Sequence, residues 1–153
     1  RRTGGAAPAP KVRRCAAEGL GRAKDRRAVE ALMTSAKDES PQVRQAAVAA
    51  LGELGDNRAV TPAINALNDA ERLVRLAAAR TLRQIKDPRA IEPLIEAVGD
   101  PYAAVGYEAN GALHVITGHK VDIPIGWDAG TIRTYRHPLW RRWWEENKAK
   151  AGK

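Results

Sequence analysis

Residues 43–73 decide the fold and read VRQAAVAALGELGDNRAVTPAINALNDAERL. The pattern starts at Val43-Arg44 and recurs with a step of 31 residues, as Val12-Arg13 before it and as Val74-Arg75 and Val105-Gly106 after it. Other columns keep the same step, among them Ala16, Ala47, Ala78, Ala109 and Leu20, Leu51, Leu82, Leu113. A constant period of this length predicts stacked copies of one supersecondary unit.

The sequence of each copy predicts two helices joined by a short turn. In residues 43–54 the apolar side chains recur three and four positions apart, which places them on one face of a helix. Gly55-Asp56-Asn57 interrupts this helix, and a second helix starts near Val60, with the Asp56 carboxylate placed to cap it. Since one such pair would expose an apolar face, neighbouring pairs must stack. The sequence therefore predicts an all-α fold, an α-solenoid (superhelix) of antiparallel helix pairs.

We expect five segments along the chain. Residues 1–11 predict a basic Pro/Ala-rich arm or linker, and residues 12–118 predict the repeats, divided into 12–42, 43–73, 74–104 and a half repeat at 105–118. Residues 119–136 are rich in Gly, Pro and β-branched residues and predict an irregular loop. Residues 137–149 predict a Trp-rich capping helix with Pro138 in its first turn, and 150–153 a basic tail.

The repeat resembles a known family. Gly55-Asp56-Asn57-Arg58-Ala59-Val60, followed by Asp69 and Val74-Arg75, is similar to the short HEAT-like repeats named after phycobilisome lyases. The resemblance covers residues 12 to about 117. It implies a solenoid whose second helices line the concave side. It also implies a structural ladder that pairs Asp38 with Arg44 and Asp69 with Arg75, six residues apart, and that ends at Asp100 because Gly106 stands opposite it.

The net positive charge of the chain lies at its two ends. The formal net charge of +8 comes from residues 1–11 and 131–153, whereas residues 12–130 are neutral overall. Evenly mixed charge does not make the continuous positive stripe that phosphate binding needs, which argues against a nucleic-acid binder. The basic ends still allow contact with an acidic partner or a membrane surface.

Two sets of polar positions are candidate partner contacts. Arginines recur near the start of the second helices, at Arg27, Arg58 and Arg89, where the helix dipole disfavours a cation. They either pair with an Asp of the same or the next repeat or line a groove for an anionic partner. The outward positions of the second helices, which are too acidic for a phosphate groove and suit a polar protein partner, include Glu30, Thr61, Glu92, Asn65 and Glu96.

Tryptophans dominate the carboxy-terminal segment. Trp140, Trp143 and Trp144 share one helix face, with Arg141 and Arg142 directed elsewhere. They either cap the open end of the last repeat or, together with Trp127 and the two arginines, anchor a partner protein. Ile-Thr-Gly followed by Trp-x-x-Trp-Trp is similar to the end of many uncharacterised bacterial HEAT-repeat proteins.

No catalytic or metal-binding arrangement is legible in the sequence. His114, His119 and His137 lack metal-ligand spacing and read as surface or loop residues, and Cys15 reads as a small buried hydrophobe. No phosphate loop or nucleophile elbow is present. We therefore expect no cofactor, no metal and no small-molecule substrate.

The sequence favours a non-catalytic protein-interaction scaffold or accessory subunit of a larger bacterial assembly. The alternatives are a phycobilin-lyase-like enzyme or chromophore chaperone, and a nucleic-acid-binding HEAT protein. The first residue is Arg1 rather than Met, so the chain is either processed or cut from something longer, which favours an exported or cell-envelope location.

Overall fold

The computed structural model describes residues 6–121 and 128–151, and this part of the chain is helical with no strand. The all-α prediction is confirmed. The helices are α1 (Pro10–Ala23), α2 (Val29–Ser35), α3 (Pro41–Leu54), α4 (Val60–Ala66), α5 (Arg72–Ile85), α6 (Ile91–Ala97), α7 (Ala103–Thr117) and α8 (Ala129–Ala151). Single 3-10 turns at Arg26–Ala28, Asn57–Ala59 and Pro88–Ala90 run directly into α2, α4 and α6.

The helices repeat with the expected step. The first helices of the four units begin 31 residues apart, at Pro10, Pro41, Arg72 and Ala103. These helices lie side by side, α1 on α3, α3 on α5 and α5 on α7, and each second helix packs on the first helix of the next unit. Neighbouring units therefore bury each other's apolar faces, as the solenoid prediction requires.

Small residues let the first helices approach closely. Ala47 and Ala78 are completely buried between neighbouring units. A Cβ atom added to Gly21 would lie 2.8 Å from the Ala50 Cβ, so the α1–α3 contact leaves no room for a side chain there. The alanine-rich columns thus set the spacing of the stack.

The predicted aspartate caps are present, and they lie at the start of the 3-10 turns that run into the second helices. In each of the first three units the Asp side chain accepts a 2.9 Å hydrogen bond from the backbone amide two residues later, and the donors are Arg27, Arg58 and Arg89. The preceding first helix ends on a left-handed residue, which is Gly55 (φ 59°) in the second unit. This pairing of a left-handed end with an Asp cap turns the chain back sharply.

The carboxy-terminal helix is longer than predicted. α8 begins at Ala129, so the irregular loop expected over 119–136 is wrong for residues 129–136, and Pro138 lies inside the helix rather than in its first turn. The Asp128 side chain explains the early start, because it accepts hydrogen bonds from the amides of Gly130 (2.9 Å) and Thr131 (3.0 Å). Residues 122–127 of the expected loop lie outside the described residues.

α8 caps the end of the stack, where it packs on α6 and α7. Trp140 is completely buried, and its indole Nε1 donates a 2.8 Å hydrogen bond to Asn110 Oδ1. The earlier units carry buried apolar residues in the column of Asn110, namely Ala17, Val48 and Ala79. An amide therefore replaces an apolar residue in the unit on which α8, rather than a further repeat, packs.

At the other end of the stack, α1 has a side that the described residues leave uncovered. Val12 is 57% exposed, whereas its counterparts Val43, Val74 and Val105 are buried. Cys15 is exposed as well, so its expected role as a buried hydrophobe is wrong. Both residues lie on the α1 face that a preceding unit covers in later repeats.

Candidate protein-interaction surface

The second helices present a polar ridge to solvent. We call this surface the second-helix ridge, and it consists of Glu30, Thr61, Asn65, Glu92 and Glu96, all of which are exposed. The residues come from three consecutive units, so the repeat itself sets their spacing along the stack. The concave placement implied by the family resemblance stays a prediction.

The arginines at the start of the second helices pair within their own repeat. Arg58 Nη2 lies 3.0 Å from Asp56 Oδ2, and Arg58 Nε donates to Asp56 Oδ1 at 3.0 Å. The equivalent ion pairs measure 2.7 Å for Arg27 with Asp25 and 2.8 Å for Arg89 with Asp87. Of the two interpretations open from the sequence, pairing with an Asp of the same repeat is the one observed.

Each of these aspartates therefore accepts hydrogen bonds from a helix start and from a guanidinium. In the second unit the hydrogen bonds from Arg58 lower the pKa of Asp56 to about 2. Arg58 also reaches back to Glu30 of the preceding unit, with 3.2 Å between Nη1 and Oε1. Arg58 thus joins its turn to the ridge, and each arginine of the row has the aspartate of its own turn as a counter-charge.

A second set of ion pairs runs along the stack at partly buried positions. Arg44 Nε donates to Asp69 Oδ2 at 2.7 Å and Nη2 to Oδ1 at 2.9 Å, in the bidentate geometry that suits a guanidinium. The other pairs of this ladder are Arg13 with Asp38 at 2.8 Å and Arg75 with Asp100 at 2.7 Å. The hydrogen bond from Arg13 lowers the pKa of Asp38.

The pairing register of this ladder differs from the prediction. Asp38 with Arg44 and Asp69 with Arg75 were expected as side-chain pairs, but each arginine pairs with the aspartate 25 residues after it. The six-residue relation is instead a backbone contact, because Arg44 Nη1 donates to the Asp38 carbonyl at 2.9 Å. Asp100 belongs to the ladder, which ends after it because Gly106 has no side chain to continue it.

The cap meets the ridge at Glu96. Arg141 Nη2 lies 2.6 Å from Glu96 Oε1, and His137 Nε2 lies 3.4 Å from Glu96 Oε2. The hydrogen bond from Arg141 lowers the pKa of Glu96. One end of the ridge is therefore tied to α8, and Glu96 and Arg141 are joined before any partner arrives.

The tryptophans divide between core and surface. Trp140 was a candidate partner anchor, and its complete burial makes that assignment wrong. Trp143 and Trp144 are half-buried against the core, and Arg142 is exposed beside them. Trp127 lies outside the described residues.

Two histidines pack against this cap, His119 from the irregular segment after α7, as expected of a loop residue, and His114 from α7 itself. The His119 ring stacks on Trp143 with 5.1 Å between centroids, and His114 lies 5.6 Å from Trp140. The described residues contain no cluster of His, Cys, Asp or Glu able to hold a metal ion, and no described helix has the length and hydropathy of a membrane span.

Sequence reasoning missed a pocket between the first turns of α7 and α8, with a volume of about 580 Å³. Its walls are mostly apolar, and the polar groups that face it include Tyr107, Arg133 and Arg136. Arg136 is only 7% exposed. The sequence signal was the replacement of the ladder arginine by Gly106, which lines the same pocket.

Comparison with known proteins identifies the repeat. The family model described as HEAT repeats matches residues 5–67 and again residues 60–125. A search of curated proteins finds no match.

Proposed function

Because the chain belongs to the HEAT-repeat family, we propose that it is a non-catalytic scaffold or accessory subunit that binds a protein partner within a larger assembly. HEAT repeats are commonly protein-interaction scaffolds, and their fold is generally non-catalytic. In this proposal the partner lies along the second-helix ridge. The basic ends add electrostatic attraction to it.

The observation that carries the proposal is the exposure of the ridge on three consecutive units. Thr61 and Asn65 lie at its centre, on α4, and both are exposed. The ladder holds the unit that carries them in place. Arg44 donates two hydrogen bonds to the Asp69 side chain in the same unit and a third to the Asp38 carbonyl of the preceding unit. A preorganised surface loses little conformational entropy on binding, which favours affinity for an extended partner.

The carboxy-terminal cap extends this surface. Trp143 and Trp144 are partly accessible, and Arg142 is exposed next to them. Trp and Arg are the residue types that contribute most to protein interfaces. We place the outer edge of the partner contact here, continuous with the ridge through the Glu96–Arg141 pair.

Site-specific photo-crosslinking tests the proposal. A benzophenone amino acid at position 61 is expected to give a discrete protein adduct in cells that naturally produce the chain. The matched control is the same amino acid at position 49, because Ala49 is also exposed but lies on a first helix. Asn65→Arg is then expected to abolish the adduct at position 61, since it places a long cation at the centre of the contact.

Two results would contradict the proposal. One is equal crosslinking from positions 49 and 61, which would show that the adducts do not depend on the ridge. The other is the absence of an adduct at position 61, together with turnover of a small molecule by the purified chain.

A further inference from the structure

The pocket between α7 and α8 exists because the fourth unit departs from the repeat. In the second and third units the ladder arginine fills this position and donates to backbone carbonyls at the end of the preceding unit, as Arg75 Nη1 does to the Asp69 carbonyl at 2.9 Å. The fourth unit has Gly106 here. A Cβ atom on Gly106 would lie 2.7 Å from the Val98 carbonyl oxygen, so no arginine fits. Gly106 itself is buried, and the pocket lies beside it with α8 on one side.

Arg136 of α8 lies in the wall of this pocket, and no acidic side chain in residues 6–121 or 128–151 pairs with it. Its side chain is more than nine-tenths buried, and its Nε is buried with no hydrogen-bond partner among the described residues. Burial lowers the pKa of Arg136, which reflects the cost of holding a charged guanidinium away from water. No carboxylate of the described residues offsets that cost, whereas a bound anion would.

The acids that line the pocket are already occupied. Asp100 Oδ2 accepts from Arg75 at 2.7 Å, and Glu108 lies 3.3 Å from Arg80 and 3.4 Å from Arg83. Arg133, in contrast, is exposed at the pocket rim. The local charge is therefore positive, and the two arginines of α8 are the groups available to an incoming ligand.

The remaining lining is suited to an apolar group. Pro101 and Ala104 contribute carbon surface, and Tyr107 is 68% exposed and presents its ring at the mouth. A volume of about 580 Å³ is sufficient for one or two side chains of a peptide. The pocket thus combines an apolar wall with a planar cation, the arrangement that recognises a carboxylate beside a hydrophobic group.

We propose that this pocket binds an acidic segment of the protein partner, with a side-chain carboxylate on Arg136 and a neighbouring apolar side chain against Tyr107. The inference rests on the proposed function, because it names the chemistry of one part of the partner. Charge complementarity and the buried, unpaired guanidinium select an anionic occupant over a basic one. The apolar wall beside Arg136 favours a carboxylate next to an apolar side chain over a phosphate backbone.

The probe is a short peptide of alternating leucine and glutamate, blocked at both ends so that its carboxylates are all side chains. Its control is the same peptide with glutamine in place of glutamate. Titration into the ¹⁵N-labelled chain is expected to shift the amide signals of Gly106, Tyr107 and Gly130 with the acidic peptide only. Arg136→Gln is expected to weaken binding about tenfold or more, the usual effect of losing a hydrogen bond to a charged group.

Arg26→Gln is the matched control, because it removes the same charge at an exposed position far along the chain. It should bind the acidic peptide like the parent. Thermal melts establish that both variants are folded, and Arg133→Gln, at the exposed rim, gives a second variant that tests the same contact.

Three outcomes would overturn the proposal: equal shifts with the glutamine peptide, equal weakening by Arg26→Gln and Arg136→Gln, or no shift at the pocket. Each is separate from the crosslinking test, because position 61 lies on the second-helix ridge. A crosslinked partner combined with an unresponsive pocket would reject this inference and leave the scaffold proposal standing.

Discussion

Asn110→Ala should destabilise the cap by removing the acceptor of the Trp140 indole. The indole Nε1 donates to Asn110 Oδ1 at 2.8 Å, and Trp140 has no exposed surface, so water cannot replace the amide. Leaving a buried donor unpaired costs about 1–3 kcal/mol. The small cavity left by the shortened side chain adds about 1 kcal/mol. We therefore expect the free energy of unfolding to fall by about 2–4 kcal/mol, a large part of the stability of a domain of this size.

A double-mutant cycle isolates the hydrogen bond from the cavity. Trp140→Phe removes the donor and keeps an aromatic ring in the same space. In the Asn110→Ala background it leaves no unpaired polar group, so the two substitutions should cost about 1–2 kcal/mol less together than the sum of their separate effects. Urea denaturation followed by far-UV circular dichroism gives the four free energies of unfolding. Asn65→Ala, at an exposed position, is the control and should stay within about 0.5 kcal/mol of the parent.

Strict additivity would refute this reasoning. It would mean that the indole hydrogen bond contributes nothing and that α8 is held by apolar contacts alone. The amide in the Asn110 column would then have no structural reason.

Three other perturbations test the stack. Ala47→Leu should cost about 1–3 kcal/mol in urea denaturation by overpacking a fully buried column, whereas Ala49→Leu, which is exposed, should change stability by less than about 0.5 kcal/mol. Arg44→Ala should cost about 2 kcal/mol in the same assay, because it breaks a partly buried bidentate pair. The pKa of Asp56 falls from 3.8 to about 2 through Arg58, so this pair stabilises the fold above pH 4 and loses its effect as the pH falls toward 2. Asp56→Asn should therefore show a shallower loss of thermal stability over that interval.

The architecture was predictable because it depends on columns of small and apolar side chains. The 31-residue step, the buried Ala47 and Ala78 and the Asp caps all follow from residue type and spacing, and the structure has each of them. Such features depend on local sequence, and each occurs several times in a repeat protein. The recurring pattern is therefore a stronger indication of structure than the sequence of any single helix.

The errors came from contacts that spacing alone does not specify. The ladder register depends on which unit a long arginine side chain reaches, so Arg44 was paired with Asp38 instead of Asp69. The start of α8 depends on the cap at Asp128, a signal outweighed by Pro138 further along. The pocket was missed because it arises where a column is interrupted at Gly106 and where Arg136 approaches from a distant part of the chain.

Because α1 is packed on one side only, local stability should differ between the two ends of the stack. Each unit of a solenoid is stabilised only by its own contacts and by those with its immediate neighbours. α1 has the following unit on one side, α3 and α5 are covered on both sides, and α8 covers the last unit. Local opening should therefore start at the amino-terminal helix and advance unit by unit, so that amide protons exchange with solvent fastest in α1 and slowest toward α5 and α7.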